Sequence, residues 1–150
     1  MKNWKKMMSA ALTAAMTVTM LAGCGGGETE KGSSDTIKIG GIGPVTGDAA
    51  IYGEAVKNGA ELAVKEINEA GGINGAQIEF NFQDDEADAE KAVNAYNTLK
   101  DWGMQALLGT VTSAPCVAVG EVAQADNMFL LTPSGTAVEC VQYDNAFRVC

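Results

Sequence analysis

The sequence predicts an α/β fold built on an open, doubly wound and mostly parallel sheet. Residues 36–42 carry β-branched side chains at alternate positions and are bounded by glycine, which is typical of a strand. An amphipathic stretch at 51–70 follows, with an apolar stripe at helical spacing, and stops at Gly71-Gly72. Residues 77–83 then alternate apolar and polar side chains, as in a strand near a sheet edge. Strand, helix and strand in this order form the repeating unit of parallel sheets.

The same alternation continues along the rest of the chain. The further elements are a helix at 89–102, a strand at 105–108, a helix of small residues that opens at 110–115, an apolar strand at 128–131 and a strand at 146–150. Because crossovers between parallel strands are right-handed, the first four strands take the order 2-1-3-4. Ligands of such sheets bind at the carboxyl ends of the strands, where the order reverses. Three loops are expected to converge there, at 43–52, 110–115 and 132–136.

The second of these loops carries a candidate anion site. Thr112, Ser113 and Ala114 stand at the predicted start of a helix, where free backbone N–H groups and the positive end of the helix dipole favour a negative charge. The alternative is that Ser113 only caps its own helix. Ser134 and Thr136 lie in a loop that passes the same crevice, and they favour a clamp for a polar ligand.

Composition and motifs argue against several other functions. The chain carries 10 basic and 19 acidic side chains, a net charge of −9, and is not expected to bind nucleic acid. The glycine-rich loop departs from the dinucleotide fingerprint, since Thr46 stands where the third glycine belongs and Pro44 lacks an N–H. The sequence has no histidine and no hydrolase or metalloprotease motif. The acidic run at 84–88 lacks the spacing of a calcium loop and is expected to be a solvated turn. We expect neither an enzyme nor a bound cofactor or metal.

The N-terminus predicts export and a lipid anchor. Residues 1–23 combine a basic head with an apolar run too short to span a bilayer, as in a secretory signal peptide. The Leu-Ala-Gly-Cys run at 21–24 resembles the lipobox of bacterial lipoproteins, so Cys24 is expected to carry the lipid that anchors the protein to the cell membrane. The alternative is a soluble secreted protein with an incidental cysteine. Residues 24–35 have the composition of a flexible tether, and 36–150 form the ligand-binding domain.

Lipidation of Cys24 leaves three cysteines, an odd number for an oxidising compartment. Cys140 and Cys150 flank nine residues. A disulfide between them would stabilise the fold by roughly 2 to 3 kcal/mol on the chain-entropy model, and free thiols are the alternative. Cys116 has no evident partner in the sequence and is expected to be a small buried apolar residue on a helix.

Five segments follow one another in an order that is much more specific than any one of them. They are I-G-P-V-T-G-D-A-A-I-Y-G-E at 42–54, G-A-E-L-A-V-K-E-I-N-E-A-G-G-I-N-G at 59–75, D-D-E-A-D at 84–88, L-L-G-T-V-T-S-A-P at 107–115 and L-L-T-P-S-G-T at 130–136. In this combination they resemble the leucine/isoleucine/valine-binding protein family of ABC-transporter receptors, the type I periplasmic binding proteins. The resemblance spans residues 37–149.

The resemblance implies a receptor with two lobes joined by a hinge. The lobes close on an amino acid that binds in the cleft between them. It also implies that the amino acid is branched-chain or similar. The receptor would lie outside the cytoplasm and deliver the amino acid to the membrane subunits of an ABC permease. Residues 36–150 would form the N-terminal lobe, and the chain is expected to be a fragment that lacks the second lobe. A sensory or regulatory ligand-binding module of the same fold is the alternative.

The resemblance also implies which residues bind the amino acid. It places the carboxylate at the helix start of Thr112, Ser113 and Ala114, and the ammonium group at the later loop and an acidic residue of the second lobe. The implied roles are Ser113 for the carboxylate, Ser134 for a carbonyl that accepts from the ammonium, Thr136 for a bridge to both and Tyr52 for an aromatic wall. Where some family members have a disulfide, this chain has Ala87 and Thr112. The resemblance therefore gives no support to a disulfide between the last two cysteines.

Overall fold

The computed structural model describes residues 36–149, arranged around one parallel sheet. The predicted signal peptide, the tether with Cys24, and Cys150 lie outside the described residues. Within residues 36–149 no helix is both long and apolar enough to cross a membrane. The elements in chain order are β1 (Ile37–Gly43), α1 (Ala50–Glu69), β2 (Ile78–Asp84), α2 (Ala89–Trp102), β3 (Ala106–Leu108), α3 (Ser113–Ala125), β4 (Leu130–Thr132), the 3-10 helix η1 (Val138–Val141) and β5 (Ala146–Arg148).

The strands pair in parallel in the order β2-β1-β3-β4-β5. This confirms the predicted order of the first four strands, and β5 is added beside β4. The strand β2 lies at one edge, as its alternating pattern predicts, whereas the short apolar β4 lies inside the sheet. From β1 the chain continues to β2 on one side and later returns to β3 on the other side. The order therefore reverses between β1 and β3, which opens a crevice at their carboxyl ends.

Local signals set the ends of α2 and β4. The side chain of Asp88 caps α2, since its Oδ1 accepts from the Lys91 N–H at 2.9 Å. The helix ends at Gly103, which has a left-handed φ of 90°. The strand β4 begins two residues later than the sequence predicts. The reason is that the Met128 N–H bonds back to the Ala123 carbonyl at 2.8 Å, so Met128 belongs to the turn after α3.

The core lies between the sheet and the helices α2 and α3. Its fully buried members include Ile42, Tyr96, Leu99, Leu107, Val119 and Leu130. The Tyr96 hydroxyl donates to Asp126 Oδ2 at 2.9 Å, and Lys100 pairs with the same carboxylate. The hydrogen bonds from Lys100 and Tyr96 hold the pKa of Asp126 below its ordinary value. These contacts join the middle of α2 to the end of α3.

The helix α1 is less buried than its apolar stripe predicts. In the predicted stripe Ile67 keeps 37% of its surface exposed, Ala63 is exposed, and Val56, Ala60 and Val64 are only half-buried. Among the described residues α1 packs mainly against β1 and β2, whereas α2 and α3 also pack against each other. A helix with one neighbouring layer buries only a narrow strip, and that accounts for the exposed part of the stripe.

The sequence predicts that the acidic run at 84–88 after β2 is a solvated turn. This prediction is wrong for Asp85. Its side chain is fully buried; Oδ1 accepts from the Ala87 N–H at 2.9 Å, and Oδ2 has no hydrogen-bond partner in the part of the chain that the structure describes. The turn bends through Glu86 and Ala87, whose φ values are 49° and 58°. Burial raises the pKa of Asp85 from 3.8 to about 6.

We expect Asp85→Asn to remove a pH-dependent loss of stability. Below pH 3.8 the carboxyl is neutral in the folded and the unfolded chain. Between pH 3.8 and about 6 the unfolded chain ionises this carboxyl while the buried group in the folded protein keeps its proton, and above about 6 both are ionised. This carboxyl should therefore lower the free energy of unfolding of the wild type by roughly 2 to 3 kcal/mol between pH 3.8 and about 6, and the variant should lack that decrease.

Urea unfolding at pH 4, 6 and 8 measures this difference. The matched control is Asp101→Asn on α2, which makes the same substitution at an exposed carboxylate. Equal pH slopes in the wild type and Asp85→Asn would contradict the burial of an ionisable Asp85.

Candidate functional site

The three predicted loops meet at the carboxyl ends of β1, β3 and β4. Between them lies an open depression of about 470 Å³, lined by Tyr52, Val111, Thr112, Ser113, Ser134 and Thr136. Five of the six residues proposed from the sequence line this depression. The side chain of Ala114 does not line it; this residue lies in the first turn of α3 with its side chain exposed. Val111 was not predicted as a site residue, because in the sequence it is an ordinary apolar residue.

Two serine hydroxyls bind the loop after β3 to the loop after β4. Ser113 Oγ accepts from the Thr136 N–H at 3.1 Å and from the Ala137 N–H at 3.3 Å. Ser134 Oγ donates to the Val111 carbonyl at 2.8 Å. A hydroxyl has one donor and two acceptor positions, so the Ser113 O–H remains available to a ligand.

Beneath these serines, Thr132 and Arg148 hold the same loops from the side of the sheet. The buried Thr132 hydroxyl donates to the Thr110 carbonyl at 2.7 Å and accepts from the Gly135 N–H at 2.9 Å. Arg148 Nη1 lies 3.1 to 3.3 Å from the carbonyls of Gly135, Thr136 and Ala137 and donates to them. Neither residue was predicted from the sequence. The available signal was a polar residue at the end of each of two short strands.

The start of α3 leaves polar groups without partners. Thr112 occupies the N-cap position but makes no side-chain cap bond, and its Oγ1 is buried with no hydrogen-bond partner among residues 36–149. The alternative that Ser113 caps its own helix is wrong, because its hydroxyl bonds to the neighbouring loop. The first N–H groups of a helix have no acceptor within the helix. Here those of Ser113 and Ala114 stand at the positive end of the helix dipole.

Tyr52 forms the rim of the depression from the first turn of α1. It is 65% exposed. The loop before it is tied to the end of β2, because the Val45 N–H donates to Asp84 Oδ1 at 2.9 Å and the Thr46 hydroxyl donates to Asp84 Oδ2. Burial opposes ionisation of Asp84, yet these hydrogen bonds together hold its pKa below the ordinary value. The charged carboxylate therefore fixes the loop that leads into α1 and Tyr52.

A family model described as periplasmic binding protein matches residues 36–150. The chain belongs to this family. Its resemblance to the leucine/isoleucine/valine-binding proteins is confirmed by relatives of that name. The Leu/Ile/Val-binding protein homolog 3 of Brucella melitensis is 37% identical over 116 residues, which are 76% of this chain and 32% of the relative. The leucine-, isoleucine-, valine-, threonine- and alanine-binding protein of Pseudomonas aeruginosa is 39% identical over 107 residues, 71% of this chain and 29% of the relative.

Solved structures give the same result for the fold. The branched-chain amino acid transporter substrate-binding protein LivJ of Streptococcus pneumoniae, solved in complex with isoleucine, matches with a TM-score of 0.72 and 36% identity. The match covers 75% of this chain and 33% of LivJ. The chain thus spans about a third of the length of the relatives it matches. The family is one of transport receptors and not an enzyme family.

Gly53 allows α1 to approach the loop that precedes it. A Cβ atom at Gly53 would collide with the Pro44 carbonyl and lie 2.9 Å from the Pro44 nitrogen, whereas one at Gly59 in the same helix would meet nothing within 4 Å. We expect Gly53→Ala to lower the free energy of unfolding by roughly 2 to 4 kcal/mol, because backbone must move. Gly59→Ala should raise it by roughly 0.5 to 1 kcal/mol through helix propensity alone.

Chemical denaturation of the two variants side by side measures this contrast. Gly59→Ala is the control, because it makes the same substitution in the same helix at a position where an added Cβ atom has open space. If Gly53→Ala were as stable as Gly59→Ala, the close contact between Gly53 and Pro44 would not exist in solution.

Proposed function

We propose that this protein is an extracytoplasmic substrate-binding protein of an ABC transporter, which binds an amino acid and delivers it to a permease. One observation carries the proposal: the uncapped start of α3 faces a depression that two hydroxyl-bearing loops enclose. Membership of the periplasmic binding protein family supports the transport role and the location outside the cytoplasm.

The start of α3 is suited to the ligand carboxylate. The Ser113 O–H is free to donate after its oxygen has accepted two backbone N–H groups. The Ala114 N–H is a second donor, so Ala114 contributes through its backbone and not through its side chain. Thr112 Oγ1, which lacks a partner among the described residues, is a third polar group at the same place. The helix dipole adds a favourable field for a negative charge.

The loop after β4 is suited to the ammonium group. We assign the Ser134 carbonyl as its acceptor and the Thr136 hydroxyl as a bridge between the two charged ends of the ligand. No acidic side chain lines the depression within residues 36–149. A counter-charge for the ammonium would therefore come from a second lobe that closes over this surface, and closure would shift with ligand binding.

The relatives favour a branched-chain or similar side chain on the ligand. The curated relatives carry leucine, isoleucine and valine in their names, and the LivJ structure holds isoleucine. In this chain Tyr52 and Val111 offer the aromatic and apolar surface that such a side chain needs. Within the depression the described residues offer hydroxyls but no base to activate them, so we assign binding without catalysis.

We expect Ser113→Ala and Thr136→Ala each to weaken binding of isoleucine to the full-length protein by roughly 1.5 to 3 kcal/mol, which corresponds to about 10- to 150-fold in Kd. Each change removes a hydrogen bond to a charged group of the ligand. Calorimetric titration gives the affinities. Thr98→Ala is the control, because its hydroxyl donates to the Asn94 carbonyl in its own helix and Thr98 does not line the depression formed by the described residues. Unchanged affinity in both site variants, with the fold intact, would exclude this site.

We expect Cys24→Ala to release the protein from the membrane fraction of the cells that export it. The lipid on Cys24 would be the anchor, since the residues that follow have the composition of a tether. Cell fractionation with immunodetection measures the distribution. Ser33→Ala in the same tether is the control and should stay with the membrane. A Cys24→Ala protein that remains membrane-bound would overturn the lipid-anchor proposal.

A further inference from the structure

Two cysteine side chains lie directly behind the site. Cys116 is in the first turn of α3 and Cys140 is in η1, and both side chains are buried. Cys116 Sγ lies 4.0 Å from the Cys140 carbonyl oxygen, and Cys140 Sγ lies 3.8 Å from the Ser113 carbonyl oxygen. Burial, together with the neighbouring Cys116 thiol, raises the pKa of Cys140 to about 11.

Gly135 marks the place where the two cysteines meet. A Cβ atom at this residue would lie 3.0 Å from Cys140 Sγ and 3.5 Å from Cys116 Cβ. Gly135 in the loop after β4 therefore lies beside both cysteines. In the sequence the pair is separated by a helix and a strand, so their proximity was not expected.

We propose that Cys116 and Cys140 form a disulfide that ties the start of α3 to the segment after β4. The two thiols lose two protons and two electrons as the S–S bond forms. The electrons pass to a disulfide of the exporting compartment, a thiol oxidoreductase or a small-molecule disulfide, which is reduced to two thiols by exchange through a mixed disulfide. This inference rests on the extracytoplasmic location under the proposed function and not on the identity of the ligand.

The disulfide between Cys116 and Cys140 would form while the chain folds and not after folding is complete. The folded thiols are buried and the pKa of Cys140 is raised, so few thiolates are present to attack a disulfide. In the folding chain both thiols are accessible, and native contacts then bring them together. Cys116 follows Ser113 by one helical turn and Cys140 follows Thr136 by four residues. The bond would therefore hold the contact between Ser113 and the loop from Thr136 against local opening.

Peptide mapping of the full chain, exported and purified without reductant, tests the pairing. The unfolded protein is alkylated and cleaved on the N-terminal side of aspartate. Cleavage at Asp126 and Asp144 puts Cys116, Cys140 and Cys150 into three different peptides. The expected result is one peptide pair that joins Cys116 to Cys140 and is lighter than the two reduced peptides by two hydrogen atoms. Alkylation of both residues, or a link from Cys140 to Cys150, would overturn the proposal.

Thermal unfolding with and without dithiothreitol gives an independent readout. The bond closes a loop of about 25 residues, so reduction of the wild type should lower the Tm by roughly 10 °C. Cys150→Ala should show the same decrease, and Cys116→Ala should show none, whatever its own starting Tm. A decrease that persists in Cys116→Ala contradicts the proposal. If the thiols are free while isoleucine still binds, this inference fails and the proposed function stands.

Discussion

The buried hydroxyl of Thr132 is the contact on which the geometry of the site depends. It stands at the end of β4, where the ladder to the neighbouring strands stops, and it satisfies the Thr110 carbonyl and the Gly135 N–H together. A buried polar group left without a partner costs about 1 to 3 kcal/mol, so the two loops cannot separate at this point without loss. Ser113 and Ser134 are then close enough to complete the link from above.

The same network decides which groups remain for a ligand. Arg148 engages the carbonyls of the loop from Gly135 to Ala137, and Ser113 engages the N–H groups of Thr136 and Ala137. The backbone of that loop is therefore largely satisfied within the protein. What remains at the start of α3 is a set of donors at the positive end of a helix. A rigid loop beside unsatisfied donors favours recognition of an anion over a neutral polar group.

The sequence predicted the elements with local signals and failed where distant segments meet. Asp88 and Gly103 carry their own cap chemistry, so α2 was predicted to the residue. Asp85 was misjudged: it is buried, and the turn that follows it takes left-handed conformations at Glu86 and Ala87, residue types that rarely adopt them. The depression itself could be predicted from strand order. The roles of Thr132 and Arg148 could not, since each contact joins segments that only the folded sheet brings together.

The site presents one wall, and this bears on how the proposed receptor gains affinity and selectivity. Tyr52 is largely exposed and the depression is open to water, so a carboxylate bound at α3 alone would exchange its contacts with solvent at little cost. In the proposed receptor, exclusion of water by a second lobe would strengthen each of these contacts. The polar groups in this wall fit the part that every amino acid shares. Under the proposed function, selection among side chains would therefore rest on Tyr52 and Val111 together with the surface that closes over them.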